Sequence, residues 1–384
     1  MGKSICVVGA GIMGAAVAGA LADAGADVTV VSRDPLGRDT SSASFAWLNA
    51  LEKTPAHYAM MNINGMKMHR AYADRHGHAP WYHTGGNLHF TFGGRETERQ
   101  REIFEEMSQF NYRAKWLDAD ETLALEPDLA REALDGATIS YFPEEGWISG
   151  ALLIARLLAD LRKAGGTVLA GVAVTGFARS GDALSQVLLS NGERLDVDMV
   201  VNCAGPAASQ IARLAGADIP MKNEVGVQIY TAPAAVTLNR VIHSANLNMR
   251  PDGAGRICLH DFGTDSAAAA LEDATGADIE GTARAYRYDL SAAQPLADRL
   301  ARFYPGTRGV ELEAARIGLR PIPRDRRPVV GFQGGADNFY SAVMHSGVTQ
   351  SLWIGELVKR EVLEGIAASE LDPYRPDRFA APTV

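Results

Sequence analysis

Gly9, Gly11 and Gly14 stand at the spacing of a dinucleotide-binding turn, in the run Val7-Val8-Gly9-Ala10-Gly11-Ile12-Met13-Gly14. Their jobs differ. The first makes a tight turn, the second lets the backbone approach a pyrophosphate, and the third lets the next helix pack closely on its strand. The chemistry on offer is anion binding, because the first N–H groups of a helix lack intrahelical partners and carry the positive end of its dipole. Gly9, Gly11, Ile12, Met13 and Gly14 are therefore candidate cofactor-binding residues.

The acid that commonly ends the second strand of such a motif, to bind ribose hydroxyls, is replaced by Ser32, followed by Arg33 and Asp34. Ser32 and Arg33 suit a 2′-phosphate, which favours NADP; alternatively the Ser32 hydroxyl makes a weaker ribose hydrogen bond with Asp34 nearby. A second arrangement able to hold an anion is Arg316-Ile317-Gly318-Leu319-Arg320-Pro321. In an extended chain Ile317 and Leu319 share one face, and Arg316 and Arg320 flank Gly318 on the other. A guanidinium beside the gap left by a glycine can grip a carboxylate with two hydrogen bonds, which makes Arg320 a candidate substrate ligand; a solvated surface arginine is the alternative.

The elements that must position these residues can be read around them. Ile5 to Val8 is an apolar run suited to a buried parallel strand, the helix from Ile12 ends near Gly25, and Asp27 to Val31 forms the second strand. The segment Gly37 to Trp47 is rich in small hydroxyl residues, with Ser41 and Ser42 placed to line a cofactor. Thr54-Pro55 predicts a helix start with Thr54 as cap. Asn87 to Phe92 alternates as a half-buried antiparallel strand does, and Trp147 to Ala164 reads as a long amphipathic helix followed by a strand from Thr167 to Val174. Met199 to Gly205 is a fully apolar strand whose end reaches a ligand, and His345-Ser346-Gly347-Val348-Thr349-Gln350 opens a C-terminal helix, a second place for negative charge.

With 384 residues the chain has room for two domains, and with 47% apolar and 22% charged residues it has the composition of an ordinary globular protein. A formal net charge of −9 gives no basic face for nucleic acid or an anionic membrane, and no apolar segment is long enough to span a bilayer. Cys6, Cys203 and Cys258 sit in apolar runs without metal-binding spacing. The N-terminus enters the first strand at once, which predicts a cytoplasmic protein without a leader.

Taken together these pieces resemble the D-amino-acid-oxidase-like (DAO) family of FAD-dependent oxidoreductases, a group that includes glycine oxidase and sarcosine oxidase. The carriers are the glycine turn, Leu117-Asp118-Ala119-Asp120-Glu121 with Leu125-Glu126-Pro127, Glu145-Gly146-Trp147-Ile148, Val200 to Pro206, Arg250-Pro251-Asp252-Gly253, and Gly318-Leu319-Arg320-Pro321 continuing to Gly331. The resemblance implies an α/β fold with a Rossmann-like FAD-binding domain and an inserted antiparallel-sheet (α+β) substrate domain. The expected division is 1–80, 145–220 and 325–384 for the first and 81–144 with 221–324 for the second. It also implies that Val174 contacts the adenine, that Ser41, Ser42, Ala204 and Gly205 line the cofactor, and that Gly347, Val348 and Thr349 lie against the flavin. Arg320 matches the arginine that binds the substrate carboxylate.

Two departures refine the expectation. Members with covalently attached flavin often carry a histidine in the early Ser-rich segment, where this chain has Phe45 and Trp47, so the FAD is expected to be non-covalent. Where glycine oxidase has a carboxylate-binding tyrosine, Asn248 stands, with Asn246 and Arg250 on its face, which points to a larger or more polar substrate. The implied reaction is oxidation of the C–N bond of an amino acid or N-substituted amino acid by hydride transfer to flavin N5, giving an imine that hydrolyses. The expected partners are a small-molecule amine or amino acid, with an electron-accepting partner protein or a homo-oligomer as further options. Competing readings are the flavoprotein subunit of a hetero-oligomeric amine or opine dehydrogenase, a flavin monooxygenase of related fold, and an NADP-dependent dehydrogenase using Ser32 and Arg33.

Overall fold

The computed structural model describes residues 2–270 and 286–379. The apolar run Ser4–Val8 forms the centre of a six-stranded sheet in the order Val329–Phe332, Phe339–Val343, Met199–Asn202, Ser4–Val8, Asp27–Ser32, Thr167–Ala170. Val7 pairs with both Val201 and Val30 in parallel register, and the Val329–Phe332 edge alone runs antiparallel. Buried on both faces, the inner strands Ser4–Val8 and Met199–Asn202 have no room for alternation, hence their continuous apolar runs. The helix Ile12–Asp23 follows the first strand and packs against Gly150–Lys163 and the C-terminal Gly347–Val362. Its residues Ile12 to Ala18 are all buried, so it has no polar face in that half.

The second sheet has eight strands in the order Leu312–Arg320, Glu224–Thr231, Ile257–His260, Leu247–Pro251, Val241–Ser244, Asn87–Thr91, Thr138–Phe142, Lys115–Leu117. All its pairings are antiparallel except that of Val241–Ser244 with Asn87–Thr91. One face is packed by a core that includes Leu88, Phe90, Val227, Met249, Leu296 and Leu300; the last two come from the helix Gln294–Phe303. The other face turns toward the first sheet and carries the candidate substrate residues Asn248 and Arg320. The α/β arrangement with a parallel sheet and a separate, mainly antiparallel one follows the sequence expectation.

Several local expectations are corrected. The helix expected from Trp147 starts at Gly150, because Gly146–Ile148 is spent as a short strand between Trp47–Leu48 and Tyr82–His83. The strand expected over Thr167–Val174 breaks after Ala170 and resumes as Val174–Ser180 in a different sheet. Pro55, not Thr54, occupies the cap position of Ala56–Arg75. Asn87–Thr91 is covered on both sides, since the helix Gly94–Ser108 lies over its polar face and Gln100 Nε2–H donates to His89 O at 2.7 Å. Cys6, Cys203 and Cys258 are free and buried.

Candidate functional site

A cleft of about 1290 Å³ runs from the first glycine turn to the arginine strand. At one end Gly9 adopts φ +109°, and a Cβ there would meet Cys203 O at 2.5 Å, so the turn admits only glycine. A Cβ on Gly14 would lie 1.8 Å from Gly9 O; this glycine serves helix packing and does not line the cleft. Gly11, Ile12 and Met13 do line it, and the Ile12 N–H donates to Ser41 Oγ at 3.1 Å, which brings the hydroxyl-rich loop over the helix N-terminus. Ser42, expected beside Ser41, is turned away: its hydroxyl donates to Asp39 O at 3.0 Å and it is not part of the lining.

Ser32, Arg33 and Val174 share the outer part of this end. Val172 N–H donates to Ser32 O at 3.0 Å, carrying the chain across the end of the second strand so that Val174 reaches the cleft. The Ser32 hydroxyl donates to Asp34 O at 2.9 Å, and Arg33 Nε lies 3.1 Å from Asp34 Oδ2. Arg33 is thus partly neutralised, a poor arrangement for an extra phosphate. Ala204 and Gly205 line the opposite wall at the end of Met199–Asn202; the Ala204 N–H donates to Asn202 Oδ1 at 3.2 Å. The second helix N-terminus, Gly347 with Val348 and Thr349, closes the middle of the cleft, and Asn49 on the facing wall buries an Oδ1 without a hydrogen-bond donor. Two helix N-termini, a glycine cradle and an orphaned acceptor fit a large dinucleotide with phosphates at one end and a ring bearing N–H groups at the other.

The other end of the cleft is lined by Phe45 and Trp47 and by residues of the second sheet. Arg320 lies flat over Gly226, where a Cβ would come within 2.9 Å of the guanidinium carbon. Its Nη1–H donates to Val225 O at 2.9 Å, and its Nη2 is 2.8 Å from Asp265 Oδ2. His260 Nε2 lies 3.2 Å from the same carboxylate oxygen, and His260 Nδ1 is 3.3 Å from Asn248 Nδ2. Arg320 Nη2 also lies 3.3 Å from His260 Nε2, so one ring nitrogen faces both the carboxylate and the guanidinium while the other faces the Asn248 amide. Burial alone would raise the Asp265 carboxyl; the His260 contact and the Arg320 charge outweigh it and hold it below the usual carboxylate range. The chain Asn248, His260, Asp265, Arg320 is thus one connected network.

The sequence singled out Arg320 and Asn248 and the structure brings them together. Asn246 stays outside the lining, and Arg250 points elsewhere: it is 3% exposed, its Nε–H donates to Phe45 O at 2.5 Å, and it stacks over Trp147 at 4.6 Å. Gly318 leaves no gap for a ligand either, since the loop 40–43 fills it and the Thr40 hydroxyl donates to Leu319 O at 2.6 Å. Sequence reasoning did not place His260, Lys53, His89 or His243 in this chamber or Asp265 beside Arg320, and read His345 only as part of the helix opening. Burial pushes His89 and His345 down to about 4, and His345 also feels the charges of Lys53, Arg320 and Arg326. Burial likewise holds His243 well below its ordinary value, with its ring tilted on Trp47 at 4.0 Å. Behind Trp47 lies Glu145, fully buried, accepting from Trp47 Nε1–H at 2.8 Å and from the Tyr112 hydroxyl at 2.7 Å; burial raises it to about 8.

A family model described as FAD-dependent oxidoreductase (DAO) matches residues 4–360. The hydrogen cyanide synthase subunit HcnC of Pseudomonas aeruginosa is 25% identical over 82% of this chain and 71% of its own. One of the subunits of the opine oxidase of Rhizobium meliloti is 23% identical over 98% of this chain and 97% of its own. The crystal structure of glycine oxidase from Geobacillus kaustophilus superposes with a TM-score of 0.81 at 20% identity, covering 99% of this chain and 100% of that one. Among the described residues no helix is long and apolar enough to cross a membrane, and no cluster of side chains is suited to a metal ion.

Proposed function

The chain belongs to the DAO family of FAD-dependent oxidoreductases, and we propose that it oxidises the C–N bond of an amino acid or N-substituted amino acid held by its carboxylate at Arg320. The observation that carries this reading is a single cleft with an anion-binding glycine turn at one end and the Arg320 network at the other. In this reading Gly9, Gly11, Ile12, Met13, Ser41, Ala204 and Gly205 hold the phosphates and ribityl side of a non-covalent FAD. Ser32, Arg33 and Val174 border its adenine end, and Gly347, Val348 and Thr349 border the flavin. FAD, when bound, supplies the hydride acceptor.

The protein's own contribution is orientation. Arg320 offers a fork of N–H donors to the carboxylate, and Asn248 and His260 fix Asp265 and through it the arginine. His89, His243 and His345 stay neutral at physiological pH, so they can accept from an amine N–H without adding positive charge beside an iminium product. Phe45 and Trp47 restrict water at the reacting carbon. The imine formed is then hydrolysed in water. The division into a cofactor domain and a twice-inserted substrate domain at the boundaries given above is part of the same proposal, as is a cytoplasmic location, which suits three free cysteines.

The direct test is the visible spectrum of the purified protein, before and after anaerobic addition of amino acids and N-methylated amino acids. A flavin spectrum bleached by such a compound supports the reading, and a protein that takes up no FAD sinks it. A second reading is favoured by the names of two relatives, HcnC and the opine oxidase polypeptide, each one part of a larger enzyme. Here the chain passes electrons to a partner protein instead of oxygen. Rapid reduction by substrate with slow reoxidation in air, reversed by an artificial electron acceptor, is its signature.

A further inference from the structure

The cations around the substrate chamber are not equivalent. Arg320 is paired with Asp265 at 2.8 Å and Arg326 with Glu224 at 2.6 Å, while Arg99 is shared among Glu102, Glu106 and Glu52. Arg95 is exposed at the mouth. Lys53 is half-buried in the lining and, among the described residues, takes part in no ion pair and no hydrogen bond. Its neighbours give it little compensation: Glu52 Oε1 lies 3.7 Å from Arg99, and Glu145 is buried behind Trp47 with a raised pKa. Burial lowers the ammonium pKa, and only the more distant charges of Glu52 and Glu145 act against it. The backbone places Lys53 at some expense: Glu52, the residue before it, sits at φ +55°, a left-handed conformation that costs energy for a side chain other than glycine and recurs at functional sites.

Lys53, Arg320 and His345 line the same cleft, and His345 feels the charge of both cations. The chamber therefore holds the arginine proposed to share a carboxylate, Arg320, and an ammonium without an ion-pair partner among the described residues, Lys53. A simple amino acid is a neutral zwitterion in water and leaves that ammonium unmatched. An amino acid with a second carboxylate carries a net charge of −1 in its main solution form and matches it. We propose that Lys53 is the anchor for a second carboxylate, so that the substrate is an amino acid with two acidic groups, the second carried either on the amine nitrogen or on the side chain. This rests on the reading of Arg320 as the anchor for the first.

The test uses matched pairs: N-(carboxymethyl)alanine against N-methylalanine for the nitrogen-linked case, and glutamate against norvaline for the side-chain case, each as both enantiomers. Binding is read by calorimetry on the FAD-loaded enzyme, chemically reduced and kept anaerobic so that no turnover occurs, and reduction of the oxidised enzyme is followed separately by stopped flow. The diacid of one pair is expected to bind about tenfold tighter than its monoacid, with the ratio falling toward one in Lys53→Met and largely kept in Lys53→Arg. Which pair shows the gap identifies where the second carboxylate is carried. Equal binding within both pairs, or a gap that survives Lys53→Met, overturns the assignment even where monoacids reduce the enzyme well. A Lys53-dependent gap with no reduction by any compound would leave the subsite standing and overturn the proposed reaction.

Discussion

Arg320 Nη2 lies 2.8 Å from Asp265 Oδ2, so the arginine proposed to anchor the substrate already holds a carboxylate of its own chain. An incoming carboxylate must share the guanidinium with a like charge. Replacing Asp265 by Asn removes that charge and keeps the shape, and binding of a carboxylate ligand should tighten roughly fivefold, as about 1 kcal/mol of repulsion is lost. Weaker binding would mean that the positioning of the arginine by Asp265 outweighs the repulsion between the two carboxylates.

Removing the guanidinium itself should be severe. Arg320→Met loses charge-assisted hydrogen bonds worth about 3 kcal/mol, which predicts a fall in kcat/KM of about a hundredfold. Arg320→Lys should recover little, because a point charge cannot reproduce the planar fork or lie flat over Gly226. The anaerobic reduction rate at several substrate concentrations checks both variants.

The two neighbouring glycines of the first turn should fail in different ways. A Cβ at position 14 runs into the Gly9 carbonyl at 1.8 Å, whereas one at position 11 meets only the movable Ser41 hydroxyl at 3.1 Å. Gly14→Ala should therefore lower the melting temperature of the apoprotein by several degrees or prevent folding. Gly11→Ala should fold and take up FAD weakly. Thermal melts with and without FAD separate the two.

Glu145 couples stability to pH. Its carboxyl titrates at about 8 in the folded protein, against about 4.3 in an unfolded chain, so the native state holds a proton that the unfolded state gives up. That contribution is complete below about pH 4 and is lost as pH rises through 8. Wild-type stability should fall across this window, and Glu145→Gln, which mimics the protonated acid while Tyr112 turns from donor to acceptor, should flatten the fall by about 1 kcal/mol or more. Denaturant unfolding at a series of pH values measures it.

With His89 and His345 pushed down to about 4 and His243 lowered by burial as well, none of these rings changes charge between pH 6 and 9. The rise of kcat/KM with pH should then report deprotonation of the substrate amine and move with the amine's own pKa from one substrate to the next. A limb fixed near one pH for every substrate would point instead to a group of the enzyme.

The glycine-turn end of the cleft was legible because its signals are local: Gly9, Gly11 and Gly14 lie within one turn and are flanked by the strands that position them. Ser42 misled because neighbours on a short helical turn point in different directions, and the chemistry of a side chain does not say which of two serines faces inward. Arg320 could be found beside its strand glycine, yet the reason given was wrong, since the loop 40–43 fills the space at Gly318. Asp265, Lys53 and the histidines come from segments far apart in the chain, and only the pairing of Glu224–Thr231 with Leu312–Arg320 and Ile257–His260 brings part of that set together. Arg250 was expected only to share a face with Asn248, and the alternation could not show that the aromatic rings of Phe45 and Trp147 hold its guanidinium.

The central strand Ser4–Val8 has as its nearest partners Asp27–Ser32 and Met199–Asn202, and beyond the latter comes Phe339–Val343. A ribosome therefore releases this apolar strand more than 300 residues before the outer neighbour of its sheet. Until Met199–Asn202 has been made the strand has one flank open, the kind of unpaired apolar edge that invites wrong pairing before a sheet is complete. The parallel sheet that gathers one end of the cleft from distant parts of the sequence thereby sets a biogenesis cost, met anew each time a molecule is made.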